Sequence, residues 1–125
     1  MNTKKLFDLS DKVIIITGAA GNLGSQYAEG LSEVGANVVL GDLDYTKCKQ
    51  LSTKLKKKYG VDPLPLKLDL TKKISISNLV TKTIKKYSKI DVLINNAAYQ
   101  GNSKIRKTSF EELSLARSLV DSPTW

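Results

Sequence analysis

The sequence has little cysteine, few aromatic residues and no long apolar run, and each scarcity excludes a class of protein. Its single cysteine, Cys48, cannot form an intramolecular disulfide, which excludes a disulfide framework. No apolar run approaches the roughly 20 residues that a membrane-spanning helix needs. The stretch from Met1 to Leu9 contains lysines but no long apolar segment, so we expect no signal peptide and a cytoplasmic location.

Acidic residues are also scarce relative to basic ones. The 125 residues include 20 Lys and Arg against 12 Asp and Glu, a formal net charge of +8. This excess indicates either a solvated lysine-rich surface or a surface for nucleic acid or another anion. The first interpretation is favoured because no aromatic residues, which would stack on bases, are interleaved with the lysines. Length and the 41% hydrophobic content predict one globular domain.

Residues 13–24 combine a strand, a glycine-rich turn and the start of a helix. Val13 to Ile16 form an unbroken apolar, mostly β-branched run, which is typical of a strand covered on both faces. Three glycines follow, and a helix is predicted over Asn22–Val34 because Leu23, Tyr27, Leu31 and Val34 recur at helical spacing, with Gly35 at its C-terminus. Glycines let a backbone approach a ligand closely, and the N–H groups at a helix N-terminus bind phosphate.

The rest of the chain alternates in the same way. Strands are predicted at residues 12–17, 37–42, 64–68 and 90–94, with helices between them. This alternation predicts an α/β fold with a parallel sheet in the order 3-2-1-4. Candidate helix caps are Asp44, Ser75, and Ser109 with Glu112, the last for a helix over residues 110–120. Phe7 and Leu9 are expected to pack at the sheet edge.

Apolar stripes on the second and third of these helices predict which faces are buried. The second stripe is Cys48, Leu51, Leu55 and Tyr59, and Gly60 is expected to end that helix. The third stripe is Ile76, Leu79 or Val80, Ile84 and Tyr87.

Two motifs resemble those of the short-chain dehydrogenase/reductase family. Thr17-Gly18 and Leu23-Gly24 resemble its T-G-x-x-x-G-x-G turn, although Asn22 replaces the middle glycine and Gly21 lies one place earlier. Asn tolerates positive φ better than most residues, so the turn is expected to survive. Asn95-Asn96-Ala97-Ala98 resembles the family's N-N-A-G segment, which steadies the sheet and lines the cofactor ribose. The resemblance covers residues 5–108 and implies a Rossmann-type parallel sheet with flanking helices, truncated after the fourth strand.

Asp42 indicates which dinucleotide would bind. It ends the second strand, 24 positions after Gly18, where Rossmann proteins place a carboxylate that accepts hydrogen bonds from the adenosine ribose. A carboxylate there repels a 2′-phosphate, which favours NAD over NADP, although Lys47 and Lys49 are close in sequence. The alternative is that Asp42 only caps a turn. Asp69, with the backbone of Leu70, corresponds to the family's adenine contact, and its alternative role is to stabilise a turn.

Together these interpretations give one set of candidate cofactor-binding residues. The set is Gly18, Gly21, Asn22, Leu23, Gly24, Asp42, Leu43, Asp69, Leu70, Asn96 and Ala97. No metal site is expected.

The family's catalytic residues have no counterpart in the sequence. Hydride transfer in that family depends on a Ser and on Tyr-x-x-x-Lys, whose Tyr acts as general acid and base. Tyr45 and Lys49 match Tyr-x-x-x-Lys by letters, but they follow Asp42 on the adenosine side, far from where a nicotinamide would lie. We therefore assign no catalytic residue, and we interpret the chain as a truncated or frame-shifted copy in which residues 109–125 are a divergent tail.

The resemblance implies an NAD-dependent oxidoreductase that interconverts an alcohol and a ketone, represented by its dinucleotide-binding half. A complete enzyme would act on a small alcohol, ketone or sugar-derived substrate and would form a homo-oligomer, without a nucleic acid or membrane partner. Two alternatives remain open at this point. The chain is a non-catalytic dinucleotide-binding module, or it binds nucleic acid through its basic surface.

Overall fold

Strands and helices alternate along residues 3–97, the part of the chain that the computed structural model describes. The helices are α1 (Thr3–Leu6), α2 (Asn22–Glu33), α3 (Tyr45–Tyr59) and α4 (Lys73–Tyr87). The strands are β1 (Val13–Thr17), β2 (Asn37–Asp42), β3 (Leu64–Lys67) and β4 (Val92–Ile94). The predicted helix over 110–120, its cap at Ser109 and Glu112, and Ala98 lie outside the described residues.

The four strands form one parallel sheet in the order β3-β2-β1-β4, as predicted. Ile14 lies in the centre of the sheet, paired with Val38 of β2 and with Val92 of β4. Strand β4 is shorter than expected. The Asp91 side chain accepts the Val13 N–H at 2.8 Å, and the Asp91 N–H donates to the Val13 carbonyl. Because a side-chain oxygen takes the place of a backbone carbonyl here, the regular backbone pairing with β1 begins only after Asp91.

Successive side chains of the strands point to opposite faces of the sheet and form two hydrophobic cores, one on each face. On one face, the strand residues Ile14, Ile16 and Leu40 pack with Ala28 of α2 and with Cys48 and Leu55 of α3. On the other face, Val13, Ile15 and Val39 pack with Ile76 and Leu79 of α4. The sheet is therefore covered on both sides, which explains why its central strands are apolar without interruption.

The buried face of α2 agrees only in part with the predicted one, since Leu31 packs against the core but the first half of the predicted stripe does not. Gly24, Ala28 and Ser32 are buried, whereas Leu23 and Tyr27 are 52% and 39% exposed. The small residues let the helix axis lie close to the end of β1, and this close approach rotates the larger side chains outward. An apolar periodicity alone could not reveal this, because glycine and serine carry no hydrophobic signal.

Two local expectations are also wrong. Phe7 is 64% exposed rather than packed at the sheet edge, although Leu9 does pack against the core. Helix α4 begins at Lys73, so Ser75 lies inside its first turn and is not its N-cap. The Ser75 hydroxyl accepts the N–H of Asp69 instead, at 2.9 Å, and so ties the helix to the end of β3.

The ends of α3 agree with the sequence. Asp44 is the N-cap, and its carboxylate accepts the Lys47 N–H at 3.1 Å. Gly60 ends the helix in the left-handed conformation, with φ of +71°. Gly35, after α2, also has a positive φ, of +90°. Between residues 3 and 97, no helix has both the length and the apolar character needed to cross a bilayer.

Candidate dinucleotide-binding site

The parallel strands place most of the predicted site residues at one edge of the sheet. Thr17 ends β1, Asp42 ends β2, and Asn96 and Ala97 lie two and three residues after the end of β4. The turn from Gly18 to Gly21 leaves β1 at this edge and leads into α2. Ligands of open α/β sheets bind at this carboxyl edge, at the point where the strand order reverses. Here that point is at β1, because β2 and β3 lie on one side of it and β4 lies on the other.

Two glycines of the turn have no room for a side chain. Gly18 has a φ of +67°, and a Cβ there would lie 2.8 Å from the Cα of Ala97. A Cβ on Gly24 would lie 2.2 Å from the Gly18 carbonyl oxygen and 2.8 Å from the Asn96 amide nitrogen. A Cβ on Gly21 would be 3.4 Å from the same carbonyl, an ordinary contact. Gly18 and Gly24 are therefore required by packing, and Gly21 is not.

The N-terminus of α2 presents free backbone donors at this edge. Gly21 is its N-cap, in an extended conformation, and makes no side-chain cap hydrogen bond. Within the described residues, the N–H groups of Asn22, Leu23 and Gly24 have no acceptor, since the first bond of the helix runs from the Ser25 N–H to the Gly21 carbonyl. No acidic residue occupies the first turn. These three donors and the helix dipole together suit an anion.

Asn22 does not need the positive φ that the sequence interpretation allowed for. Ser88 is the only non-glycine residue with a positive φ in the described part of the chain. Asn22 is instead the first residue of α2, and its side chain is exposed. The variant turn therefore keeps a regular helix N-terminus.

Thr17 joins the ends of β1 and β4, and the candidate set omitted it. Its hydroxyl oxygen accepts the N–H groups of Asn96 and Ala97, both at 3.0 Å. The Asn96 side-chain amide donates to the Gly18 carbonyl at 3.2 Å. These bonds fix the segment after β4 against the glycine turn. The sequence did contain a signal for this role, because Thr17 directly precedes Gly18 in the motif that carries the family resemblance. Thr17 was nevertheless not included among the candidate site residues.

Asp42 contacts the glycine turn directly. One carboxylate oxygen accepts the Ala20 N–H at 3.0 Å and the other accepts the Asp44 N–H at 3.0 Å. A carboxylate offers about four lone-pair positions, so two remain for other donors. The side chain thus stabilises the turn and still has capacity to accept hydroxyl protons.

Asp69, Leu70 and Leu43 surround the outer part of this edge. One Asp69 oxygen accepts the hydroxyl proton and the N–H of Thr71, at 2.6 Å and 3.0 Å, so the turn-stabilising role is present. The hydrogen bond from the Thr71 hydroxyl, and to a smaller extent the one from the Thr71 N–H, holds the pKa of Asp69 below its ordinary value. Leu70 is half-buried against the α4 core, and Leu43 is 52% exposed.

Other reactive side chains do not belong to this arrangement. Tyr45 is the first residue of α3, it is 42% exposed, and it lies directly after the Asp44 cap. Cys48 is fully buried, and burial raises the pKa of its thiol to about 12, so it stays protonated at neutral pH. Among residues 3–97, no three Cys, His, Asp or Glu side chains gather where they could hold a metal ion.

The chemistry of these groups fits a dinucleotide. Three free N–H groups at a helix N-terminus suit a pyrophosphate, and the turn beside them begins and ends with glycine. The carboxylate of Asp42, at the end of the adjacent strand, suits ribose hydroxyls.

Comparison with known proteins agrees with this geometry. Residues 12–118 match the family model described as short chain dehydrogenase. The 7alpha-hydroxysteroid dehydrogenase of Bacteroides fragilis is 36% identical over 105 residues, which are 84% of this chain and 39% of that relative. The chain thus spans about two fifths of the length of that curated relative.

Solved structures show the same fold. L-sorbose reductase from Gluconobacter frateurii, solved with NADPH and L-sorbose, is 25% identical with a TM-score of 0.80, covering 90% of this chain and 45% of that one. NAD⁺-bound xylitol dehydrogenase is 31% identical with a TM-score of 0.70, covering 74% and 35%. The motif set, the sheet and these matches agree, and the chain belongs to the short-chain dehydrogenase family.

Proposed function

We propose that the chain binds NAD in preference to NADP, with the glycine turn and the first turn of α2 at the pyrophosphate and Asp42 at the adenosine ribose. The observation that supports it most strongly is the set of free N–H groups at Asn22, Leu23 and Gly24 beside that carboxylate. Gly18 and Gly21 shape the turn, Asn96 and Ala97 line the ribose, and Leu43, Asp69 and Leu70 border the adenine.

The preference for NAD follows from charge. The Asp42 carboxylate is held by two backbone N–H groups, so it cannot swing away from an approaching 2′-phosphate without losing both bonds. Two negative groups at the ribose would repel each other in a partly buried site, where Coulomb forces are stronger than in water. The related structures include both cofactors, NADPH in L-sorbose reductase and NAD⁺ in xylitol dehydrogenase, so the relatives favour neither.

A bound nicotinamide dinucleotide would supply a hydride donor or acceptor for the interconversion of an alcohol and a ketone. The relatives named above act on a hydroxysteroid, a sugar and a sugar alcohol, which supports a substrate with a secondary hydroxyl group. The 125 residues contain no Ser with a Tyr-x-x-x-Lys at the nicotinamide side, so the chain by itself holds cofactor without turning over an alcohol. A homo-oligomer and a cytoplasmic location stay predictions.

A non-catalytic dinucleotide-binding module is the second candidate. The same free N–H groups and carboxylate support it, because binding needs only the residues described here. The two candidates differ in one respect. An enzyme requires catalytic groups from further polypeptide, whereas a module functions with these 125 residues.

Calorimetric titration of the full chain with NAD and with NADP tests the proposed preference. We expect NAD to bind more tightly, and an Asp42→Asn variant to shift the ratio of the two dissociation constants toward NADP by about tenfold. Asn carries no charge and keeps an oxygen for the Ala20 N–H of the glycine turn, and it gives up only the bond from the Asp44 N–H, outside that turn. Asp11→Asn, at an exposed aspartate that precedes β1 and so lies at the opposite end of that strand from the turn, is the matched control and should leave the ratio unchanged. Tighter binding of NADP by the unaltered chain would refute the preference.

A further inference from the structure

A lysine-lined cleft lies between β3 and α4, at the sheet edge opposite to β4. Its volume is about 340 Å³, and its polar lining is Lys67, Lys72, Lys82, Ser75, Asn78 and Asp69, beside the apolar side chains of Leu66, Ile74 and Leu79. Lys67 ends β3, Lys72 is the N-cap of α4, and Lys82 lies in the third turn of that helix. Three segments of the chain thus bring ammonium groups to one concavity, which we call the lysine cleft.

The positive charge of the lysine cleft is poorly compensated. The ion pairs between described residues engage five other lysines, and none of the three cleft lysines takes part in one. Among the described residues, the one carboxylate in its lining is Asp69, which interacts with the charges of Lys72 and Lys67, so one negative group stands against three positive ones. Like charges gathered in a concave site repel each other, and an anion relieves that repulsion.

Neutral donors complete the lining. The Ser75 oxygen accepts the N–H of Asp69, so its hydroxyl proton remains available to a ligand. Asn78, one turn further along α4, is exposed and adds an amide. The first turn of α4 holds no acidic residue. We propose that the lysine cleft binds a small compound that carries two or more phosphate groups, at a second site that adjoins the proposed dinucleotide site at Asp69.

The edge of β3 disfavours a peptide strand as the occupant. The Leu68 N–H donates to the Asp42 carbonyl of β2, so the backbone of Leu68 faces β2. Because backbone hydrogen-bonding groups alternate in direction along a strand, those of Lys67 and Pro65 face away from β2, toward the open edge. Pro65 has no N–H to offer, and a charged lysine beside it further blocks pairing. Nucleic acid is also disfavoured, because no aromatic side chain lines the cleft to stack on a base.

The proposal is tested by measuring how inorganic tripolyphosphate binds to the full chain, with calorimetry for the affinity and amide NMR shifts for the position of the site. The test variant is Lys67→Gln, Lys72→Gln and Lys82→Gln combined. The control variant is Lys49→Gln, Lys57→Gln and Lys85→Gln combined, at exposed lysines outside the cleft, so both remove three positive charges. We expect shifts at residues 72–82, an affinity loss of about tenfold or more in the test variant, and a change of less than about twofold in the control.

Three results would overturn the proposal. The first is equal weakening in both variants, which would mean general attraction to a basic protein. The second is a set of shifts confined to residues 18–24, which would place the anion on the glycine turn. The third is a DNA oligonucleotide that binds more tightly than tripolyphosphate and loses more affinity in the test variant. If the test variant does not fold, the position of the shifts in the unaltered chain decides.

Discussion

Gly24 and Gly30 lie in the same helix but differ in what surrounds them. A Cβ on Gly24 would meet the Gly18 carbonyl at 2.2 Å, whereas a Cβ on Gly30 would meet nothing within 4 Å. We expect Gly24→Ala to lower the free energy of unfolding by about 1–3 kcal/mol, the usual cost of overpacking, and to weaken NAD binding. Gly30→Ala should raise it by about 0.5–1 kcal/mol, because alanine favours a helix. Urea denaturation of both variants measures the difference.

Equal effects of the two substitutions would contradict the close packing of α2 against the glycine turn. The importance of Gly24 was predictable from its place in the motif, but its neighbours were not. The contact with Asn96 joins residues 72 positions apart, and only the register of β1 with β4 brings them together. The bond from the Ala20 N–H to Asp42 was likewise not predictable, because it depends on the register of β1 with β2.

At the scale of elements, α3 is the helix whose ends the sequence predicted best. Asp44 accepts the Lys47 N–H and so satisfies one of the unpaired donors of the first turn. Asp44→Ala should lower the free energy of unfolding by about 1 kcal/mol, whereas Asp44→Asn should change it by only a few tenths, since Asn caps equally well. Thermal or urea unfolding of the two variants checks this. An equal loss in both would show that charge, and not the cap bond, matters.

Helices α2 and α4 show why local patterns do not suffice at this scale. The buried face of α2 consists of Gly24, Ala28 and Ser32, which have weak hydrophobic signals. Ser75 has the chemistry of an N-cap, yet its hydroxyl is used by the Asp69 N–H across the β3–α4 connection. In both cases tertiary packing, and not the local sequence pattern, determined the buried face or the bonding partner. The strands were predictable because their apolar runs are buried on both sides.

At the scale of the whole molecule, carboxylates determine how stability depends on acid. Hydrogen bonds from Lys86 and Lys56 lower the pKa of Asp62, and the Val13 N–H lowers the pKa of Asp91. A carboxyl whose pKa is lower in the folded state stabilises the fold above its unfolded pKa, and that stability is lost as the pH falls through the folded pKa. We expect the free energy of unfolding to decline below about pH 4.

Buried neutral groups determine the alkaline side. Burial raises the pKa of the Cys48 thiol to about 12 and also raises the pKa of the Tyr87 hydroxyl. The unfolded chain releases these protons at lower pH than the folded chain, so stability should fall above about pH 8.5. Cys48→Ala should flatten part of this decline, and urea unfolding from pH 3 to pH 11 measures both arms. Stability that does not change across this range would contradict the described contacts.

Amide NMR shifts of the full chain during titration with NAD test most directly the claim that the N-terminus of α2 binds the pyrophosphate of a dinucleotide. We expect saturable shifts at Asn22, Leu23 and Gly24 and beside Asp42, with Gly30 near the far end of the same helix unaffected. Saturation below about 1 mM NAD corresponds to a binding free energy of at least roughly 4 kcal/mol. Shifts confined to the lysine cleft, or none up to that concentration, would contradict the claim.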